Sequence, residues 1–257
     1  RLPLSTGSLA DLALGEVLVQ LPAGYAQRSM VQFPSVYIHD GKDALVRGRY
    51  DRLLFAMADQ GQAPPTLAVF LPAPDTTTAR LSLYAHYGDV HFPEVTPRGA
   101  EYARYILDVV VPAVEKTYRA TTPRTMLGID MAGPFSYELA WSDPQHRFSR
   151  VVSQSGRFGW GEDPLSGERP YARTLATDRS RDLDRLAFDW SDGDLYQVQV
   201  HDSLRPLFAG PGYVGKVQFN RQLDPGMEFW ESLRQRALAS LSHVLSDIVS
   251  PTGRTRN

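Results

Sequence analysis

The segment Gly128-Ile129-Asp130-Met131-Ala132-Gly133 follows the apolar run Thr125–Ile129 and precedes the helix-like stretch Pro134–Trp141. A buried strand that turns sharply into a helix lifts one side chain to the crest of the turn. Small residues must flank it, because strand and helix approach closely there. The pattern that such an elbow usually shows is G-x-S-x-G, with a hydroxyl at the crest. Here the crest carries the carboxylate of Asp130, and one extra small residue precedes the second glycine. Taken alone, the segment reads equally as a strand–helix turn with Asp130 as the helix cap.

The groups that could work beside Asp130 are few. The chain has no cysteine, so disulfides, thiolate metal sites and a cysteine nucleophile are excluded. Six histidines remain as carriers of protons near neutral pH. His39, in Ser35–Asp40, is the best placed as an acid or base. His86 and His91 flank Asp89 in the loop Tyr84–Pro93, but this spacing defines no metal site, and neither metal nor other cofactor is expected. His146 reads as part of a surface turn, and His201 and His243 read as surface residues.

Positioning these groups requires a sheet. Short β-branched runs at 16–22, 35–40, 66–72, 125–129, 150–155, 185–190 and 215–221 read as strands, several of them continuously apolar as buried parallel strands are. Between them, 98–118 places Tyr102, Tyr105, Ile106, Val109, Val110 and Val114 on one helical stripe, with Pro112 bending or breaking it. A second amphipathic helix covers 226–248, and the polar, Pro/Gly-punctuated stretch 161–182 reads as a loop or lid. Alternation of strands and helices implies an α/β fold with a mostly parallel sheet covered on both faces.

The 257 residues fit one domain over 1–257. With 42% hydrophobic and 22% charged residues and a net charge of −2, the composition is that of a globular protein without an electrostatic case for nucleic-acid binding. No apolar run is long enough to span a bilayer. The first residues show no basic region followed by an apolar one, and the start at Arg1 instead of Met leaves room for a trimmed leader. Cytoplasmic placement is the expectation, with secretion left open. The expected partner is a small molecule, with a homo-oligomer left open.

Read in order, further segments resemble the putative-esterase family of the α/β-hydrolase fold, which includes enterochelin esterases, esterase D and mycolyltransferases. Val17–Tyr25 resembles its opening strand, and Phe33–Gly41 its second strand and oxyanion turn. Arg80–Tyr84 is similar to its R-x-x-E-Y motif, and Gly99–Arg119 to its long helix. Gly128–Gly133 falls on the elbow, and Ser153-Gln154-Ser155-Gly156 with Trp160 on a later strand and turn. The resemblance implies an α/β-hydrolase fold without a large cap domain. It implies backbone donors at Asp40, Gly41 and Met131, substrate contacts from Arg80, His86, His91 and Trp160, and a residual acid at Asp192 or Asp194. It also places Asp130 where the family has its serine, Pro225 where it has its histidine, and Leu83 where it has the motif glutamate.

A Ser-His-Asp mechanism needs a hydroxyl and a histidine base, so with both positions replaced ordinary ester hydrolysis by such a triad is not expected. The leading expectation is non-hydrolytic acid/base chemistry on an ester, acyl, polyketide-like or peptide-like molecule through Asp130 with His39: cyclisation, isomerisation or epimerisation. The alternatives are a catalytically inactive pseudo-esterase that binds a ligand, and a hydrolase with a relocated base.

Overall fold

The computed structural model describes residues 1–161, 183–223 and 229–248. The expected lid at 161–182 and the position of Pro225 therefore lie almost wholly outside the described residues. All seven expected strands form. They are β1 (Leu18–Gln20), β2 (Phe33–Ile38), β3 (Leu67–Phe70), β4 (Ala120–Ile129), β5 (Arg150–Gln154), β6 (Arg185–Ser191) and β7 (Val217–Gln222). They make one sheet in the order β1-β3-β2-β4-β5-β6-β7. Only β1 runs antiparallel to its neighbour, and every other pairing is parallel.

Alternation along each strand divides the core into two layers. Phe33, Tyr37, Met126, Val151 and Phe188 face one way, towards Tyr102, Ile106, Val110 and Phe135. Val36, Ile38, Leu127, Val152 and Ala187 face the other, towards Tyr50, Leu54 and Met57 and towards Leu233, Ala237 and Leu241. The first layer is covered by helices α4 (Gly99–Tyr105), α5 (Val111–Thr117) and α6 (Ala132–Ser142), the second by α1 (Gly41–Val46), α2 (Tyr50–Asp59) and the helix Phe229–Leu245. A further helix, α3 (Thr77–Tyr84), follows β3.

The expected bend at Pro112 takes another form. Ile106–Val110 is a π-helical turn, in which the Val111 N–H donates to the Ile106 carbonyl. Pro112 has no N–H for the carbonyl four residues before it, and widening the preceding turn accommodates that loss. The extra residue resets the helical phase. Leu107 and Val111 are buried with Tyr102, Tyr105, Ile106, Val110 and Val114, whereas Val109 packs only partly. That corrects the expected stripe at one residue and extends it by two.

Phe135, fully buried, is the centre of an aromatic group whose ring centroids lie 5.2 Å from His39, 5.2 Å from Tyr102, 5.3 Å from His86 and 5.7 Å from Tyr84. Phe135→Ala should lower unfolding free energy by about 3–5 kcal/mol through the cavity it leaves. Urea denaturation followed by circular dichroism measures this, and a loss below 1 kcal/mol, well under the usual range for such a truncation, would show that the group is loosely packed.

Candidate functional site

Three neighbouring strands end in turns whose crest residue is in the left-handed region without being glycine. They are Asp40 after β2 (φ 52°), Asp130 after β4 (φ 58°) and Ser155 after β5 (φ 48°). This conformation costs an ordinary side chain roughly 1–2 kcal/mol and is held here by the surrounding packing. At the elbow, a Cβ on Gly128 would lie 1.9 Å from the Ala132 carbonyl oxygen, so only glycine lets α6 start so close to β4. A Cβ on Gly41 would lie 2.7 Å from the Phe70 backbone, and that position too must be glycine.

Asp130 is not a helix cap: Met131 is at the N-cap position, and no side chain caps the helix. Both Asp130 carboxylate oxygens are held by guanidinium groups. Arg80 Nη1 lies 3.1 Å from Oδ2, and Arg157 Nε donates to Oδ1. The Asp130 carbonyl also accepts the Arg157 N–H (3.2 Å), which fixes the second arginine beside the elbow. Arg80 is shared. Its Nε and Nη2 bind the two oxygens of Asp40, each at 2.7 Å, in the two-pronged geometry that favours arginine over lysine. Arg80 and Tyr84 are one turn apart on α3, so both reach Asp40, and the Tyr84 hydroxyl donates to Asp40 Oδ1 (3.1 Å). Burial is the first influence on Arg80, yet the two carboxylates keep its pKa above the ordinary arginine value.

Several expected site residues are placed elsewhere. His39 is fully buried among Tyr84, Tyr102 and Phe135, with Nδ1 3.4 Å from the Tyr102 hydroxyl. Burial, aided by the Arg80 charge, lowers its pKa to about 3, which favours the neutral ring in this enclosed position. Alternation explains this: Asp40 turns towards the strand ends, and the side chain before it points into the layer beneath. The backbone donors expected at Asp40 and Gly41 are spent within the fold, on the Tyr84 hydroxyl (3.3 Å) and the Leu71 carbonyl (2.7 Å). Arg80 is engaged with Asp40 and Asp130 and is a structural tie before it is a ligand contact. Leu83, at the expected glutamate position, is fully buried.

His86 is drawn inward as well. It stacks on Phe135 and lies 3.8 Å from Glu138 Oε1, which accepts the Tyr87 hydroxyl at 3.1 Å. Burial lowers His86 to about 4 and raises Glu138 to about 7, so both are driven towards their neutral forms. His201 is not on the surface: it stacks on Trp190 at 4.4 Å and is fully buried. His243 is half-buried and engages the Lys216 carbonyl. His146 is in an exposed turn, as expected. Asp194 caps the helix Leu195–Leu204 by accepting the Gln197 N–H (3.1 Å), and the Asp192 N–H donates to the Gln222 carbonyl. The buried acid at this end of the sheet is instead Asp189, which sequence reasoning missed. Arg236 (2.7 Å), Ser240 (2.9 Å) and Gln154 (2.9 Å) all donate to it, while burial raises its pKa to about 6. Arg236 Nη2 continues to the Ser155 hydroxyl at 3.0 Å. Asp189 was visible only as the polar break in the apolar run 185–190.

Two hollows share Arg157. One, of about 440 Å³, is lined by Asp89, His91, Phe92, Gly159, Trp160 and Tyr196 with Arg157. His91 and Trp160 thus do line a cleft, and Trp160 is held there by its Nε1 donating to the Tyr87 carbonyl (3.0 Å). The other, of about 330 Å³, holds Asp130, Ser155, Arg157, Gln197, Ser232 and Arg236 among its walls. Among the described residues, no cluster of three or more His, Asp or Glu could hold a metal, and no helix is long and apolar enough to cross a membrane.

A family model described as Putative esterase matches residues 15–194. The chain belongs to the putative esterase family. Solved structures with the same fold include an IroE-like serine hydrolase from Shewanella oneidensis (18% identity, TM-score 0.66, covering 91% of this chain and 76% of that one). The enterochelin esterase of Shigella flexneri matches at 16% identity and TM-score 0.70 over 89% of this chain, which spans 54% of the length of that esterase. The siderophore hydrolase EstA of Aspergillus nidulans matches at 16% and 0.64 over 88% and 89% of the two chains. No curated protein matches the sequence. At the elbow of this chain a carboxylate is fixed between two arginines.

Two outcomes follow. Arg80→Met leaves buried Asp40 unpaired, and should cost about 2–4 kcal/mol of stability in thermal or urea unfolding; an unchanged midpoint would show that the tie contributes nothing. Glu138, raised in the folded state, contributes stability below its unfolded value near 4.5 that is lost as pH rises through about 7. Glu138→Gln should therefore gain stability relative to wild type between about pH 5 and 8, by about 1–3 kcal/mol at the upper end; parallel pH profiles for the two proteins would contradict this.

Proposed function

We infer that this member of the putative esterase family has left serine hydrolysis and uses its cleft to bind a small molecule. The observation that supports this most directly is the double clamp on Asp130. Each carboxylate oxygen already accepts from a guanidinium, which occupies one lone pair on each and holds the group between two cations instead of presenting it to a reacting atom. The histidines add to it. All six lie within the described residues. Three of them, His39, His86 and His201, are largely or wholly buried and held neutral; His243 binds a carbonyl and His146 is in an exposed turn. Only His91 lines one of the two hollows that share Arg157. Two of three expected oxyanion donors are also engaged, on Tyr84 and Leu71. This arrangement favours binding over acyl transfer, which needs a base and free donors facing the reacting carbonyl.

The competing reading keeps Asp130 as an acid or base, released when a ligand draws Arg157 away. Turnover of p-nitrophenyl acetate and butyrate by wild type, Asp130→Asn and Asp130→Ser tests whether Asp130 supports hydrolysis. We expect all three to match the uncatalysed rate. Wild-type turnover that Asp130→Asn abolishes would overturn the binding reading.

A further inference from the structure

We propose that Glu138 is a proton-operated positioning residue for the hollow of about 440 Å³, acting through Tyr87 on its Trp160 wall. The proposal concerns the shape of that hollow, whatever occupies it, and does not rest on the binding reading above. A chain of contacts carries it. Glu138 lies on α6, the helix that leaves the elbow, and its Oε1 accepts the Tyr87 hydroxyl at 3.1 Å. The carbonyl of the same tyrosine accepts Trp160 Nε1 at 3.0 Å. Trp160 in turn stacks on Phe92, with ring centroids 5.1 Å apart and planes 20° apart, and both rings line the hollow. Tyr87 therefore joins an enclosed carboxylate, through its side chain, to the aromatic wall, through its backbone.

The surroundings of Glu138 suit a neutral acid. Its side chain is 12% exposed, and Oε2 is enclosed with no hydrogen-bond partner among the described residues. The His86 imidazole has Nδ1 3.8 Å from Oε1, too far for a hydrogen bond, and its Nε2 is enclosed and unbonded as well. An ionised carboxylate there would keep one donor, the Tyr87 hydroxyl, and a charge so poorly met is costly to bury.

Neighbouring charges do not remove that cost, because they are paired elsewhere. Asp143, further along α6, is held by Arg147, and Asp130, before it, by Arg80 and Arg157. On the strands packed against α6, Arg124 is paired with Glu115 and Arg150 with Asp247, and on α4 Glu101 is paired with Arg98. In the loop itself, the Asp89 oxygens accept the His91 and Gly161 N–H groups. Burial accordingly keeps Glu138 protonated below about pH 7, and the Tyr87 bond only partly opposes it. Loss of the proton strengthens the Tyr87 bond, which becomes charge-assisted. It also draws the His86 ring from its stack on Phe135 (5.3 Å) towards the carboxylate. His86 and Tyr87 are adjacent, so both movements pull on the backbone whose carbonyl orients Trp160.

Indole N–H correlation spectra of the nitrogen-15-labelled full chain test this. Trp141, Trp160, Trp190 and Trp230 each give one indole peak, and Trp160→Phe assigns the peak of interest. We expect it to move along one titration curve with its midpoint at about pH 7. The curve should persist in His91→Gln, which removes the histidine of the hollow itself. It should vanish in Glu138→Gln, which keeps an acceptor for the Tyr87 hydroxyl. In Tyr87→Phe, which cuts the link and leaves the acid, its amplitude should fall at least about twofold. The proposal is overturned if the peak does not titrate, if Glu138→Gln titrates as wild type does, if His91→Gln abolishes the curve, or if Tyr87→Phe leaves it unchanged. None of these measurements involves ester turnover, so failure here leaves the binding reading untouched.

Discussion

One guanidinium sets the shape of the strand ends. Arg80 stands between Asp40, after β2, and Asp130, after β4, and those strands are neighbours in the sheet. Without it, two carboxylates would face each other in a partly desolvated crevice, where like charges repel strongly. With it, α3 is pinned across the ends of the parallel strands, and the chain that leaves α3 is delivered to the loop carrying Asp89, His91 and Phe92. The cleft on the far side inherits its wall from this tie. Such a pair is not strong evidence of net stability, since burying the charges offsets much of their attraction. Its role is geometric: it fixes which groups can face a ligand and which cannot.

Three strained turns at the ends of β2, β4 and β5 lie side by side, and polar side chains stand at all three crests. The strain is held by sheet and helix packing on either side. The same architecture that lifts a reactive serine in an elbow here lifts a carboxylate into the reach of two cations. An elbow backbone thus fixes where its crest group stands, while the side chains around the crest decide what that group meets.

The fold was legible because parallel strands buried on both faces read as short apolar runs, and all seven were found within a few residues of their observed bounds. The elbow was legible for a related reason, since Gly128 and Gly133 are dictated by steric contact and not by chemistry. Placement of the polar side chains was far less so. His39 and Asp40 are adjacent in sequence, yet one enters an aromatic cage and the other the strand-end crevice, and only the register of β2 decides which. Arg157 carried no signal at all: it is an arginine in a turn, and its meaning comes from the elbow carbonyl that fixes its backbone. Asp189 was passed over for Asp192 and Asp194 because a charged residue inside an apolar strand looks like noise until Arg236 arrives from a helix 47 residues later. Ion pairs between distant segments leave no periodicity, and periodicity is what a single sequence displays.

The partition between the two hollows is a side chain, and that side chain is half of an ion pair. Arg157 is half exposed and bound to Asp130 through Nε. A guanidinium is flat and directional, so it cannot turn its donors fully to both compartments at once. Its one orientation therefore shapes the walls of both hollows at once. The cleft is in this sense a pair of rooms with a common wall, and a substitution of that one arginine would remodel both.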